Sequence, residues 1–159
     1  MSDLNRPIRA YLDTSVFGGV FDEGFDEASK AFIESIHAGR VIAMVGSTTL
    51  AELAMAPEAV QKVLMDLPRE RVVRCGITEE VERLREANLD AKVLTPKWTD
   101  DATHVATATV HDADLLVSWN FRHIVNYDKI RLFNAVNTRL GYRSIAIHSP
   151  LELQHGDHT

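Results

Sequence analysis

A single cysteine, Cys75, stands in this 159-residue chain, so no internal disulfide can brace it. It lies in RVVRCG, which reads as the end of a strand, and it is expected to be buried and inert. No apolar run approaches the roughly 18 residues of a membrane-spanning helix. The opening MSDLNRPIRAYLD lacks the basic region and apolar core of a signal peptide. The expected location is cytoplasmic, with no membrane association. Positive charge is in the minority: 17 lysines and arginines against 23 acids leave a net charge of −6. That balance argues against binding to duplex nucleic acid through global charge, and leaves room for a local basic groove. Repeats, low-complexity tracts and linkers rich in proline, glycine or serine are all missing. One domain over residues 1–159 is the reading, with about 152–159, which includes His155 and His158, as a flexible tail.

The chain does have the makings of a core, since 45% of its residues are hydrophobic and 25% charged. IRAYL (8–12) reads as a buried strand stopping at Asp13. Phe25, Ala28, Phe32, Ile33 and Ile36 recur at helical spacing, and Gly39 closes that helix. RVIAMVG (40–46) is a second strand, STTLAELA a helix, and Pro57 opens another helix through EAVQKVLMDL. RVVRC is a third strand. TEEVERLREANLDAKVL is a helix with an acidic first turn, as the dipole favours. DLLVSW (114–119) is a strand, DKIRLFNAVNTRLGY a helix and SIAIHSP a last short strand. Strands alternating with helices predict crossover units, a mainly parallel sheet and a three-layer α/β class.

In open parallel sheets ligands bind beyond the carboxyl ends of the strands. Asp13 follows the first strand directly, and Glu52 lies on the helix after the second. Asp101 opens the helix before DLLVSW, and Asn120 sits just past that strand. These are hard oxygen donors suited to Mg²⁺ or Mn²⁺, ions that lower the pKa of bound water and neutralise charge on a phosphodiester in transit. Each also has a structural reading. Asp13 can cap the next helix. Thr49 and Glu52 fit the T-x-x-E capping box. With Thr99 as N-cap, Asp100 and Asp101 are first-turn acids, and Asn120 is a turn residue. What tells for chemistry is that all four fall on one side of the sheet.

Other residues support or distract. Thr14 and Ser15 are placed to orient Asp13, to bind phosphate or simply to form the turn. His104, three residues after Asp101, shares its helix face, and is either a hydrogen-bond partner of an acid or a satisfied histidine packed on the sheet. Arg122, Lys129 and Arg131 are possible RNA contacts, and Trp98 and Trp119 could stack on unpaired bases, with burial favoured for Trp119. His111–Asp112 resembles a phosphohydrolase dyad without its partner histidines. The DAD at 112–114 places Asp114 at the amino end of its strand, away from the proposed cleft.

YLDTSV (11–16), TLAELA (49–54), DDATHVATATVHDADLLVSWN (100–120) and FRHIVN (121–126) together resemble the PIN-domain family, most closely its small VapC-like members. The resemblance covers nearly the whole chain in order. It implies an α/β/α sandwich on a parallel sheet of about five strands, and Mg²⁺- or Mn²⁺-dependent cleavage of RNA. By motif it assigns the metal acids to Asp13, Glu52 and Asp101. Asn120 takes a fourth position that is aspartate in many members, and His123 stands where a further acid is often found, which weakens a second metal position. A toxin–antitoxin role, a cognate antitoxin and a homodimer are what the resemblance suggests. The alternatives are a non-toxin RNA-processing nuclease and a catalytically weak domain that binds RNA or protein.

Overall fold

β1 (Ile8–Leu12) is the middle strand of the sheet, and its alternating side chains divide the molecule into two cores. The structure is a computed structural model, and it describes residues 6–154. Along the chain follow α1 (Thr14–Gly19), α2 (Asp26–His37), β2 (Val41–Gly46), α3 (Ser47–Ala54), α4 (Glu58–Met65) and β3 (Val72–Cys75). Then come α5 (Glu79–Asp90), α6 (Thr99–Val110), β4 (Leu115–Val117), α7 (Tyr127–Arg139), β5 (Ala146–His148) and α8 (Pro150–Gln154). The strand order is β3-β2-β1-β4-β5, and every pairing is parallel.

Ala10 and Leu12 point into a core built with Val16, Phe17, Phe32 and Ile36. Tyr11 points to the opposite face, among Leu84, Val105 and Phe133. Thus α1 to α4 cover one face and α5 to α7 the other, a three-layer sandwich. The small residues Ala102, Ala106 and Ala108 of α6 are fully buried, which brings that helix close to the sheet. Cys75 is buried as expected.

The order of the strands fixes where a site can form. From β1 the chain winds outward through β2 to β3, then crosses to β4 on the other side of β1. The change of direction therefore falls between β1 and β4, and beyond their carboxyl ends lies the crevice where such folds bind ligands. Register adds detail: Leu12 is opposite Val117, so Asp13 emerges beside Ser118.

Some boundaries differ from the sequence reading. α5 stops at Asp90 rather than running on through Leu94, because Lys92 takes a left-handed φ of 60° and turns Val93 and Leu94 into the core. β4 ends at Val117, since the next residues turn their hydrogen bonds toward the site. Residues 152–154, expected as tail, form the end of α8, and 155–159 lie outside the described residues. Gly39, just past α2, has φ of 87°, the left-handed turn that glycine supplies most cheaply.

Candidate active site

Asp13 is the N-cap of α1, and it is also the most buried acid at the carboxyl edge of the sheet, 4% exposed. Its Oδ1 accepts from the Ser15 backbone N–H at 3.1 Å and from Ser15 Oγ at 2.6 Å. Its Oδ2 accepts from Ser118 Oγ at 2.5 Å. The capping reading holds, and the same side chain stands at the carboxyl edge of the sheet. Burial pushes its carboxyl above the ordinary range, against the lowering pull of His104, Ser118 and Ser15, and the Glu52 charge pushes the same way as burial.

Glu52 projects from α3 toward the same edge. Its Oε1 accepts from Thr14 Oγ1 at 2.6 Å and from His104 Nε2 at 2.8 Å. The capping-box reading does not hold: α3 begins at Ser47 with Gly46 as its cap residue. Thr49 instead donates to the Leu12 carbonyl at 3.1 Å, tying α3 to β1. Burial alone would raise the Glu52 carboxyl, but the hydrogen bonds from His104 and Thr14 carry it below its ordinary value.

His104 is 2% exposed, with both ring nitrogens engaged. Nδ1 shares a hydrogen bond of 2.7 Å with the Tyr11 hydroxyl, which also lies 3.4 Å from Thr49 Oγ1. Burial would lower the imidazole, yet the Glu52 hydrogen bond and the charges of Asp13, Glu52 and Asp101 raise it above its ordinary value. Burial likewise holds the Tyr11 hydroxyl protonated, well above the usual phenol range. Backbone geometry protects this arrangement, since a Cβ on Gly46 would come within 2.3 Å of the Tyr11 hydroxyl.

Asp101, on the first turn of α6, is held in the same manner by a different histidine. His123 Nδ1 donates to Asp101 Oδ2 at 2.8 Å. The His123 ring packs against Trp98, centroids 4.3 Å apart. Its backbone N–H donates to Asn120 Oδ1 at 2.9 Å, and the Asn120 carbonyl accepts from Ile124 and Val125. Asn120 therefore builds the turn that carries His123. Thr99 is not the cap of α6: Trp98 holds that position, and the Thr99 hydroxyl donates to the Pro96 carbonyl.

Asp13, Glu52 and Asp101 carry carboxylate oxygens and Asn120 an amide oxygen, the hard donor type that divalent cations take. His104 feels the charges of Asp13, Glu52 and Asp101, and Asp13 feels that of Glu52, so the imidazole is the group common to the three acids. The side chains are not closed around a single point, however. Among the described residues no group of three or more histidine, cysteine, aspartate or glutamate side chains is arranged to hold a metal ion. Their present partners are serines, a threonine and two histidines.

Elsewhere, Lys129 donates to the Val93 carbonyl at 2.6 Å and so braces α7 against the segment after α5. Arg131 is paired loosely with Asp128, and Arg122 lies over the Trp98 ring. Trp119 is buried, its Nε1 donating to Ser29. His111 meets the Gly76 carbonyl, and Asp114 is bound by Arg6 and the Arg9 backbone N–H, so neither belongs to the site. Ser118 and Tyr11 went unnoticed in the sequence. Adjacency of β1 and β4 would have pointed to Ser118, and the alternation of β1 to Tyr11.

No family model matches the chain, and a search of curated proteins returns no match. Solved structures do match. VapBC2 of Rickettsia felis, bound to a DNA fragment from its promoter, matches at 14% identity with a TM-score of 0.57, covering 89% of this chain and 98% of that one. FitAcB of Neisseria gonorrhoeae matches at 16% and 0.54, covering 89% and 98%. VapC20 of Mycobacterium tuberculosis, a toxin that cleaves the sarcin–ricin loop, matches at 14% and 0.55, covering 86% and 98%. With its five parallel strands in three layers, the chain has the fold of the VapC and FitB PIN-domain toxins.

Proposed function

We propose that this protein is a Mg²⁺- or Mn²⁺-dependent endoribonuclease that hydrolyses phosphodiester bonds of RNA, as the toxin of a toxin–antitoxin pair. One observation supports the reading: Asp13 just past β1, Glu52 on α3 and Asp101 on α6 all act by charge on the buried His104, which is hydrogen-bonded to Glu52 at 2.8 Å. The likeness in fold to VapC and FitAcB supports it. Asp13, Glu52 and Asp101 would hold the ion, with Asn120 at the margin. When bound, such an ion supplies an activated water and neutralises charge developing on the phosphate.

The chain's own residues supply the positioning. Ser15 and Ser118 each hold one oxygen of Asp13 by a hydrogen bond. Thr14 and His104 leave Glu52 Oε2 as the oxygen directed elsewhere. His123 does the same for Asp101 Oδ1. A cognate antitoxin and a homodimer complete the proposal. The test is cleavage of single-stranded RNA with and without Mn²⁺, comparing the native chain with Asp13→Asn. Loss of cleavage in the variant is expected; full cleavage would overturn the reading.

A second reading rests on the separation of the three carboxylates, each held by protein donors. It makes the chain a catalytically weak domain that binds RNA or a protein. Calorimetric titration separates the two: heat of Mn²⁺ binding at millimolar concentration, lost in Asp13→Asn, belongs to the nuclease alone.

A further inference from the structure

At the end of the sheet opposite Asp13, a groove of about 350 Å³ lies between α2, α8 and the amino ends of β1, β2 and β4. The length of β1, about 16 Å at the rise of a parallel strand, separates it from the acids. Its floor is apolar and packed, made by the buried side chains of Phe32, Val41 and Leu115. Ile8, 49% exposed, and Leu153 of α8 add aliphatic walls. The volume and the lining are those of a small-ligand site, mostly hydrophobic with few polar groups.

One residue of the lining carries a formal charge, and it is Arg40. Its backbone is tied on both sides: its N–H donates to the Ser35 carbonyl at 3.0 Å, and its carbonyl accepts from the Ile8 N–H at 3.0 Å. Among the described residues no carboxylate lies within ion-pair distance of its guanidinium. The Ser35 hydroxyl, also on the groove, is already spent on the Phe32 carbonyl. An apolar groove with one anchored cation and no acid calls for a ligand of matching form. Branched aliphatic walls accept a flexible alkyl chain, and the planar guanidinium fork matches a carboxylate.

We propose that this groove binds an amphipathic carboxylate, its alkyl chain against Phe32, Val41 and Leu115 and its carboxylate on Arg40. The site is separate from the one built on Asp13, and it does not rest on the nuclease reading.

The experiment titrates the full chain with octanoate, well below the concentration at which it forms micelles, and reads the heat by calorimetry. Amide shifts in the NMR spectrum locate the binding: those of Ile8, Val41 and Leu115 should move, and those of Asp13 and Glu52 should not. Affinity should rise about fourfold for each methylene added from hexanoate to octanoate, the worth of a buried CH₂. Arg40→Gln should weaken octanoate about threefold to fivefold, as for an exposed ion pair, and leave octan-1-ol unchanged. Ala31→Trp, at an exposed position on the α2 wall, should fill the groove and weaken both. Octylammonium should bind more weakly than octanoate. No heat with octanoate, affinity indifferent to chain length, or shifts scattered over other apolar surfaces overturns the proposal. Equal binding of octylammonium, or an unchanged octanoate Kd in Arg40→Gln, overturns the role of the cation and with it the ligand class. Two further outcomes give the groove to another occupant and also overturn the proposal. Ala31→Trp altering only self-association, by light scattering, assigns it to a second copy of the chain. Octanoate binding that appears only in a chain ending at Gln154 assigns it to residues 155–159.

Discussion

Thr14 and His104 donate to the same oxygen of Glu52, one from the start of α1 and the other from α6 across the sheet. A single carboxylate oxygen thus ties the two helical layers together over the end of the strands. Replacing His104 by alanine should cost about 1–3 kcal/mol, because the Tyr11 hydroxyl is left buried with only a 3.4 Å neighbour. Urea unfolding measures it. A loss below about 0.5 kcal/mol, the level of an ordinary surface change, would show that the bridge contributes little.

The same bridge makes stability depend on pH. The His104 value is raised above 6.5, so its contribution is complete below that pH and fades as pH rises through the folded value. Glu52 is depressed below 4.5, so its contribution holds above that pH and fades as pH falls through the folded value. The Tm difference between the native chain and His104→Gln should therefore shrink on going from pH 6 to pH 9. A difference that stays constant across that range would contradict the assignment.

Asp13 presents the opposite economy. Burial disfavours its charge, and its contribution to folding is complete only below 3.8, fading as pH rises through the raised folded value. Asp13→Asn keeps an acceptor for Ser15 and removes the buried charge. The variant should lose cleavage while its Tm at pH 7 equals or exceeds that of the native chain. A large fall in Tm would mean that the carboxylate is needed chiefly as the cap of α1.

Gly46 offers a test that replaces no polar side chain. Its missing Cβ makes room for the Tyr11 hydroxyl, and Gly46→Ala should cost about 1–3 kcal/mol as overpacking displaces the ring. Gly18 has open space around it, and Gly18→Ala should be within about 0.5 kcal/mol of neutral. Equal stability of the two variants would discount the close approach.

Periodicity and turn chemistry were enough to place all five strands, because each strand is a short apolar run bounded by polar residues. The acids stood out for their positions after strands. What the chain did not disclose were partners distant in sequence. Thr49 and Glu52 satisfy a local capping rule, yet both reach away to Leu12, Thr14 and His104. Local rules describe what a side chain can do near by, and here tertiary partners were better placed. Asn120 shows the converse: a residue assigned by resemblance to the ligand set is engaged by the turn that carries His123.

The bond between Ser118 and Asp13 spans 105 positions of sequence. Closing a loop of that length costs more chain entropy than pairing β1 with β2, its neighbour on the other side. A chain still being synthesised, with β1 to β3 already emerged, carries Asp13 and Glu52 without the strand that orients the first or the turn that holds Asp101. The arrangement of Asp13, Glu52 and Asp101 is thus complete only once β4 and the turn that carries His123 have docked beside β1.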